Sequence, residues 1–118
     1  MSDKTFLAYD PATLPASVAA FEAALGTRDG AAAAQWLSED IELTDEGRTY
    51  RGKNEVAGWF DTTASQYTYT TEHTGQQVGS SHVVVRTHLE GDFPGGVVDL
   101  FHRYTLADGL ITALLIEP

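Results

Sequence analysis

Hydrophobic residues recur along this chain with two different periods. In the first half, Leu14, Val18, Phe21 and Leu25 are spaced three or four apart and form one stripe of a helix. The spacing predicts a helix beginning near Thr13 as N-cap, with Pro15 in its first turn, and stopping at Gly26 and Thr27. Asp29 is placed to cap a short second helix, "GAAAAQWL", whose apolar end is Trp36 and Leu37. A strand follows over residues 40–45. There Ile41, Leu43 and Asp45 share one face, and Glu42, Thr44 and Glu46 share the other. "EGRTYRG" then turns back as a short hairpin arm, and a third helix after Gly52 presents Val56, Trp59 and Phe60 as its buried side.

Beyond Ser65 the period changes to two. "YTYTTEHTGQQV", "SHVVVRTHLE", "GVVDLFHRYTL" and "GLITALLIE" read as strands, separated by "GSS", "GDFPGG" and "ADG". Alternation places Val98, Leu100, His102, Tyr104 and Leu106 on an inward face, with Val83, Val85, Thr87 and Leu89 beside them. Arg86, His88 and Glu90 point outward. Helices first and a strand meander last predict an α+β domain, helices covering one face of an antiparallel sheet. The last strand is apolar on both faces, Thr112, Leu114 and Ile116 alternating with Ile111, Ala113 and Leu115. It therefore needs a second cover, either a homodimer through the outer sheet face or the N-terminal arm. Residues 1–12 read as a flexible arm and residues 13–118 as one domain.

Charge narrows the partners. The 118 residues carry a formal net charge of −10, and the seven Lys and Arg are scattered. A nucleic-acid partner needs a basic footprint, which this pattern lacks, and polyanions are repelled. No stretch is apolar enough for a membrane span, and "MSDKTFLAYDPATLP" has no signal-peptide pattern; the expected location is cytoplasmic. With no cysteine there is no disulfide framework and no thiolate chemistry. His82 and His88 lie about 20 Å apart along one strand, too far for one metal. No cofactor or metal is expected. The expected ligand is a small apolar molecule.

Three longer phrases carry a resemblance. "FEAALGTRDGAAAAQWLSEDIELTDEG", "YRGKNEVAGWF" and "LEGDFPGGVVDLFHRYTLADGLITALLI" are similar to the SnoaL-like, polyketide-cyclase-like branch of the nuclear transport factor 2-like superfamily. The resemblance implies a cone-shaped fold, three helices on a curved antiparallel sheet, over roughly residues 14–117. It says little about reaction, because that fold hosts isomerases, cyclases, dehydratases and binding modules. Ketosteroid isomerases of the superfamily pair a carboxylate base with a Tyr and a protonated Asp as oxyanion donors. Laid on this chain, the base position falls on Asp45, the Tyr position on Phe21 and the Asp position on Leu100. The base is kept and both donors are missing, which argues against steroid isomerisation by that route.

Two residues remain as candidates for chemistry. Asp45 ends an apolar strand face; it is either a partly desolvated base at a cavity mouth or a turn acid paired with Arg48 or Arg51. His102 lies inward between Leu100 and Tyr104, either as a core imidazole or as a pocket acid that assists Asp45. His73 can face either way. Phe21, Trp36, Trp59, Phe60, Leu100, Tyr104 and Leu114 are the candidate pocket wall, with an ordinary core role as the alternative. Two functions follow: a cofactor-free proton-transfer enzyme (isomerase, cyclase or dehydratase) acting on a small apolar carbonyl compound, or a non-catalytic ligand-binding or dimerisation module.

Overall fold

The structure, a computed structural model, describes residues 6–118. The part of the N-terminal arm before residue 6 lies outside the described residues. A 3₁₀ turn over Pro11–Thr13 leads into helix α1 (Ala16–Thr27), and α2 (Gly30–Ala34) follows at once. Strands β1 (Leu37–Asp45) and β2 (Arg48–Arg51) form a hairpin, and α3 (Gly52–Asp61) crosses to the long strands β3 (Tyr69–Val78), β4 (His82–Gly91), β5 (Val97–Ala107) and β6 (Leu110–Glu117). The sheet order is β2-β1-β6-β5-β4-β3. Every neighbouring pair is antiparallel except β1 and β6, which run parallel. The fold is the expected α+β cone: three helices on one curved sheet, with this single parallel junction added to the antiparallel plan.

Helix α1 starts later than its spacing predicts. Pro15, extended at ψ 143°, is the N-cap residue, and Ala16 begins the helix. Thr13 sits in the preceding turn, where its hydroxyl donates to the Asp10 carbonyl at 3.0 Å. Asp29 does cap α2, accepting from the Ala32 N–H at 3.0 Å. That helix ends at Ala34, so Leu37 already belongs to β1.

Two hairpins use the same turn chemistry. Glu46 and Gly47 have φ of 54° and 77°, and Asp108 and Gly109 have 53° and 78°. Both are two-residue connections with positive φ at each central residue, the twist that matches antiparallel strands. The first puts Asp45 opposite Arg48 at the very end of β1.

The core lies between helices and sheet. Val18 and Phe21 of α1, Val56 and Phe60 of α3, and Ile41, Leu43, Val83, Val85, Tyr104, Ile111 and Leu114 of the sheet are buried there. The predicted inward sets of β4 and β5 hold. In β6 strict alternation fails, because Thr112 is an extra residue between the pairs Thr105↔Ala113 and Leu106↔Ile111. The bulge puts Ile111 on the same side as Leu114 and Ile116. Leu115 is 37% exposed on the outer face, so this strand is not covered on both sides among the described residues.

Residues 6–12 of the arm lie against the sheet. Leu7 and Gln76 exchange backbone hydrogen bonds of 2.8 and 2.9 Å at the free edge of β3. The buried Gln76 amide accepts from the Asp10 N–H and donates to the Thr13 hydroxyl, each at 2.8 Å. Phe6 packs on Phe101 of the outer face, with ring centroids 5.9 Å apart, while Tyr9 stacks on His73 at 4.0 Å. The arm covers part of the outer face and caps the β3 edge.

Candidate functional site

A cavity of about 730 Å³ opens between α1, α3 and the sheet. That volume suits a ligand of drug size. Its wall includes Leu25, Trp59, Tyr67, Tyr69, Leu89, Phe93, Val98, Leu100 and Ile116, and its polar groups include Glu22, Asp45, His73 and His102. Both predicted chemical residues, Asp45 and His102, therefore line one space.

Backbone register positions them. Asp45 pairs with Ile116 across the parallel junction, and Ile116 pairs with His102 on the other side. Alternation turns the Asp45 and His102 side chains to the same face, one strand apart on either side of Ile116. Two strand spacings put the backbones of Asp45 and His102 about 10 Å from each other. Each side chain feels the other's charge, and among the described residues no hydrogen bond joins them.

Asp45 accepts a hydrogen bond from the Trp59 indole Nε1–H at 3.1 Å. Burial pushes its carboxyl above the ordinary range, and the Glu46 charge adds to this. The Trp59 and Glu46 N–H bonds and the charge of His102 pull the other way without cancelling the rise. Its pairing with Arg48 is a backbone ladder position, and Arg51 bonds elsewhere, to Glu42 at 3.7 Å.

His102 is buried, and its Nδ1 lies 2.7 Å from Glu22 Oε2. Glu22 is the residue that pattern reading missed. Its carboxylate, 1% exposed, takes Tyr104 Oη–H on Oε2 as well, and Oε1 lies 3.0 Å from His73 Nε2. One carboxylate on α1 thus binds rings on β3 and β5. Burial alone raises the Glu22 carboxyl; the charge of His102 and hydrogen bonds from His102, His73 and Tyr104 outweigh it and hold it at about 2. Burial pushes the His102 imidazole down, but the Glu22 charge and hydrogen bond, with the Asp45 charge, carry it above its usual value. Burial and the Glu22 charge push Tyr104 well above the phenol range and Tyr9 to about 12. His73 faces inward because Thr74 is an extra residue in β3, between His73↔Thr87 and Gly75↔Arg86.

The remaining wall residues divide. Trp59 and Leu100 line the cavity. Phe21, Phe60, Tyr104 and Leu114 are buried in the layer beneath it, 2% exposed or less, with Phe21 edge-on to Phe60 and Tyr104. They shape the floor from behind as core. Trp36 is elsewhere: it borders a shallow groove with Pro15, Ser17 and Leu106, because α2 ends before it and turns it away from the cone. On the outer face His88 is held by Asp99 at 2.6 Å and Glu90 at 2.8 Å. Among the described residues no group of three His, Asp or Glu is arranged for a metal ion, and no helix is long and apolar enough to cross a membrane.

The model of the SnoaL-like domain matches residues 18–114, nearly the whole cone. The chain belongs to the SnoaL-like family. Solved structures extend the likeness. A Sinorhizobium meliloti protein provisionally assigned as a polyketide cyclase is 27% identical over 92% of this SnoaL-like chain and 100% of its own, with a TM-score of 0.85. The Δ5-3-ketosteroid isomerase from Mycobacterium sp. is 21% identical over 93% of this chain and 94% of its own, with a TM-score of 0.72. A Mycobacterium tuberculosis protein in complex with estradiol-17β-hemisuccinate is 18% identical over 93% and 95% of the two chains, with a TM-score of 0.73. The last two establish the shared fold alone. No curated protein matches the chain.

Proposed function

We propose that this SnoaL-like protein is a cofactor-free proton-transfer enzyme acting on a small, largely apolar carbonyl compound. Asp45 is the base and His102 the assisting acid. The observation that carries the reading is their placement: two titratable groups on one wall of an apolar cavity, in register on either side of Ile116. A base poised by desolvation removes an acidic C–H proton. An imidazole N–H across the gap stabilises the oxygen on which negative charge develops. Isomerisation, cyclisation and dehydration all begin with that step. Relatives of the same fold bind estradiol-17β-hemisuccinate and trimethylamine, so the cone accommodates small organic ligands.

A second reading has its own observation. The position matching the isomerase Tyr is Phe21, buried beneath the cavity, and the position matching its Asp is Leu100, an apolar wall residue. A pocket without those donors suits a protein that holds its ligand without chemistry. Hydrogen–deuterium exchange at the α-carbon of a panel of flat ketones in D₂O, followed by NMR, separates the two. The enzyme exchanges at least one bound ketone, and Asp45→Asn slows it by about 10²–10⁴ while affinity persists. Ketones that bind and never exchange select the binding module. If either Asp45→Asn or His102→Gln left exchange unchanged, the paired assignment would fail.

The same proposal includes a cytoplasmic homodimer through the outer sheet face, supported by the exposed Leu115 and Val97. Sedimentation velocity on the wild type and on Leu115→Glu checks it, with a monomeric wild type overturning it.

A further inference from the structure

We infer that Glu22 is the positioning residue of this site. It bridges His102 and His73, fixes the His102 ring with Nδ1–H turned inward, and so presents Nε2 to the cavity as the donor. The inference rests on the reading of His102 as the assisting acid.

The argument is one of donors and acceptors. An ionised carboxylate only accepts, so each ring nitrogen facing it must carry a proton. His102 Nδ1 at 2.7 Å from Oε2 and His73 Nε2 at 3.0 Å from Oε1 are therefore both N–H. The Tyr104 hydroxyl donates to the same carboxylate. The Tyr104 hydroxyl and two ring nitrogens against a carboxylate that solvent barely reaches favour the anion, and they outweigh the cost of its burial. A buried anion demands a cation beside it. His102 is the better placed of the two imidazoles: its bond is shorter, and its side chain is 7% exposed against 26% for His73. The His102 side chain lines the cavity, and among the described residues every fully buried polar side-chain atom has a partner. Nε2, bonded to none of them, is therefore open to the cavity.

The consequence is a specific division of labour. With Glu22 charged, the imidazolium offers Nε2–H to a ligand oxygen. When His102 loses its proton, the Glu22 bond keeps it on Nδ1, and Nε2 becomes an acceptor in the same place. His73 competes for the carboxylate from the other oxygen, with Tyr9 stacked on its far side. The other titratable groups facing His102 are Asp45 from β1 and Tyr104 on its own strand. Toward it, β4 and β6 offer the apolar Val85 and Ile116.

The test needs no substrate. Imidazole ¹⁵N shifts of the ligand-free protein are followed by NMR against pH in the wild type, Glu22→Gln and Tyr104→Phe, with His102 assigned through His102→Gln. In the wild type His102 titrates above an ordinary imidazole and its neutral form carries the proton on Nδ1. Glu22→Gln should lower the midpoint by about one pH unit or more and release the tautomer to a mixture. Tyr104→Phe removes a competing donor and should raise the midpoint. A Glu22→Gln midpoint and tautomer matching the wild type overturn the inference. Should Glu22→Gln not fold, a Tyr104→Phe midpoint that is unchanged or lower overturns it equally. Because these readouts concern the free protein, they stand or fall separately from the exchange assay on Asp45.

Discussion

Asp45 and Glu22 are two carboxylates with opposite fates in one cavity. Asp45 has lost water and gained one indole donor and one backbone N–H, so its carboxyl is raised. Glu22 has lost more water but gained a cation and three donors, so its carboxyl is lowered. The signs give different predictions. A group raised on folding stabilises below its unfolded value and loses that contribution as pH rises through the folded one. At neutral pH the Asp45 charge is therefore a cost, and Asp45→Asn, which keeps an acceptor for Trp59, should raise Tm by a few degrees. A lower Tm, measured by calorimetry, would instead mean a structural acid. Glu22, lowered from 4.5 to about 2, contributes stability above its unfolded value that is lost as pH falls toward 2. His102, raised from 6.5, contributes below that value and loses the contribution as pH rises through its folded value. The ion pair is therefore worth most between about pH 4.5 and 6.5, and Tm against pH should peak there. The proposed roles of Asp45 as base and His102 as acid predict a bell-shaped kcat/KM against pH, its acid limb set by Asp45 and its alkaline limb by His102.

At the scale of elements, two joints decide whether the cone closes. The first is the arm on β3. Gln76 is buried and makes two side-chain hydrogen bonds to the arm, at Asp10 and Thr13. Gln76→Ala leaves these groups unpaired and should cost about 2–3 kcal/mol. Urea unfolding measures the cost, and faster hydrogen exchange at Leu7 shows the arm released. The second is the β4–β5 turn, which the cavity uses as a wall through Phe93. A Cβ at Gly91 would lie 2.4 Å from the Thr68 carbonyl oxygen and 2.5 Å from Tyr69 Cβ. Gly91→Ala should therefore destabilise by about 1–3 kcal/mol, because backbone on the neighbouring segment must move.

For the molecule as a whole the cavity predicts a bound ligand, and the measurement to make first is thermal unfolding against a panel of flat, apolar ketones and phenols. A ligand at a hundred times its dissociation constant adds about 2.7 kcal/mol. In a chain of 118 residues that is on the order of ten degrees. Since 730 Å³ of cavity is already open, binding should require little rearrangement, and Leu100→Trp should diminish the shift by filling the wall. Shifts that survive Leu100→Trp undiminished would place the ligand elsewhere.

Local patterning determined which faces turn inward. Alternation along β1 and β5 placed Asp45 and His102 on the core side, and helical spacing identified Val18, Phe21, Trp59 and Phe60 as buried, because side-chain direction is a property of the strand or helix alone. Partnership is not. Glu22 is four residues from Val18 and three from Leu25, on the shoulder of the α1 stripe, a signal that was present in the spacing. Yet a glutamate there is ordinarily solvated, and only the assembled sheet brings His73 of β3 and His102 of β5 onto it. The bulges at Thr74 and Thr112 leave no mark in composition, yet they turn His73 and Ile111 inward. Layer depth was likewise hidden: Phe21, Phe60, Tyr104 and Leu114 are as apolar as a pocket wall and became the floor behind one, while Trp36 went to the other end of the cone. Which apolar side chain meets a ligand and which meets another side chain depends on distances across the sheet, and those exist only once the chain has closed.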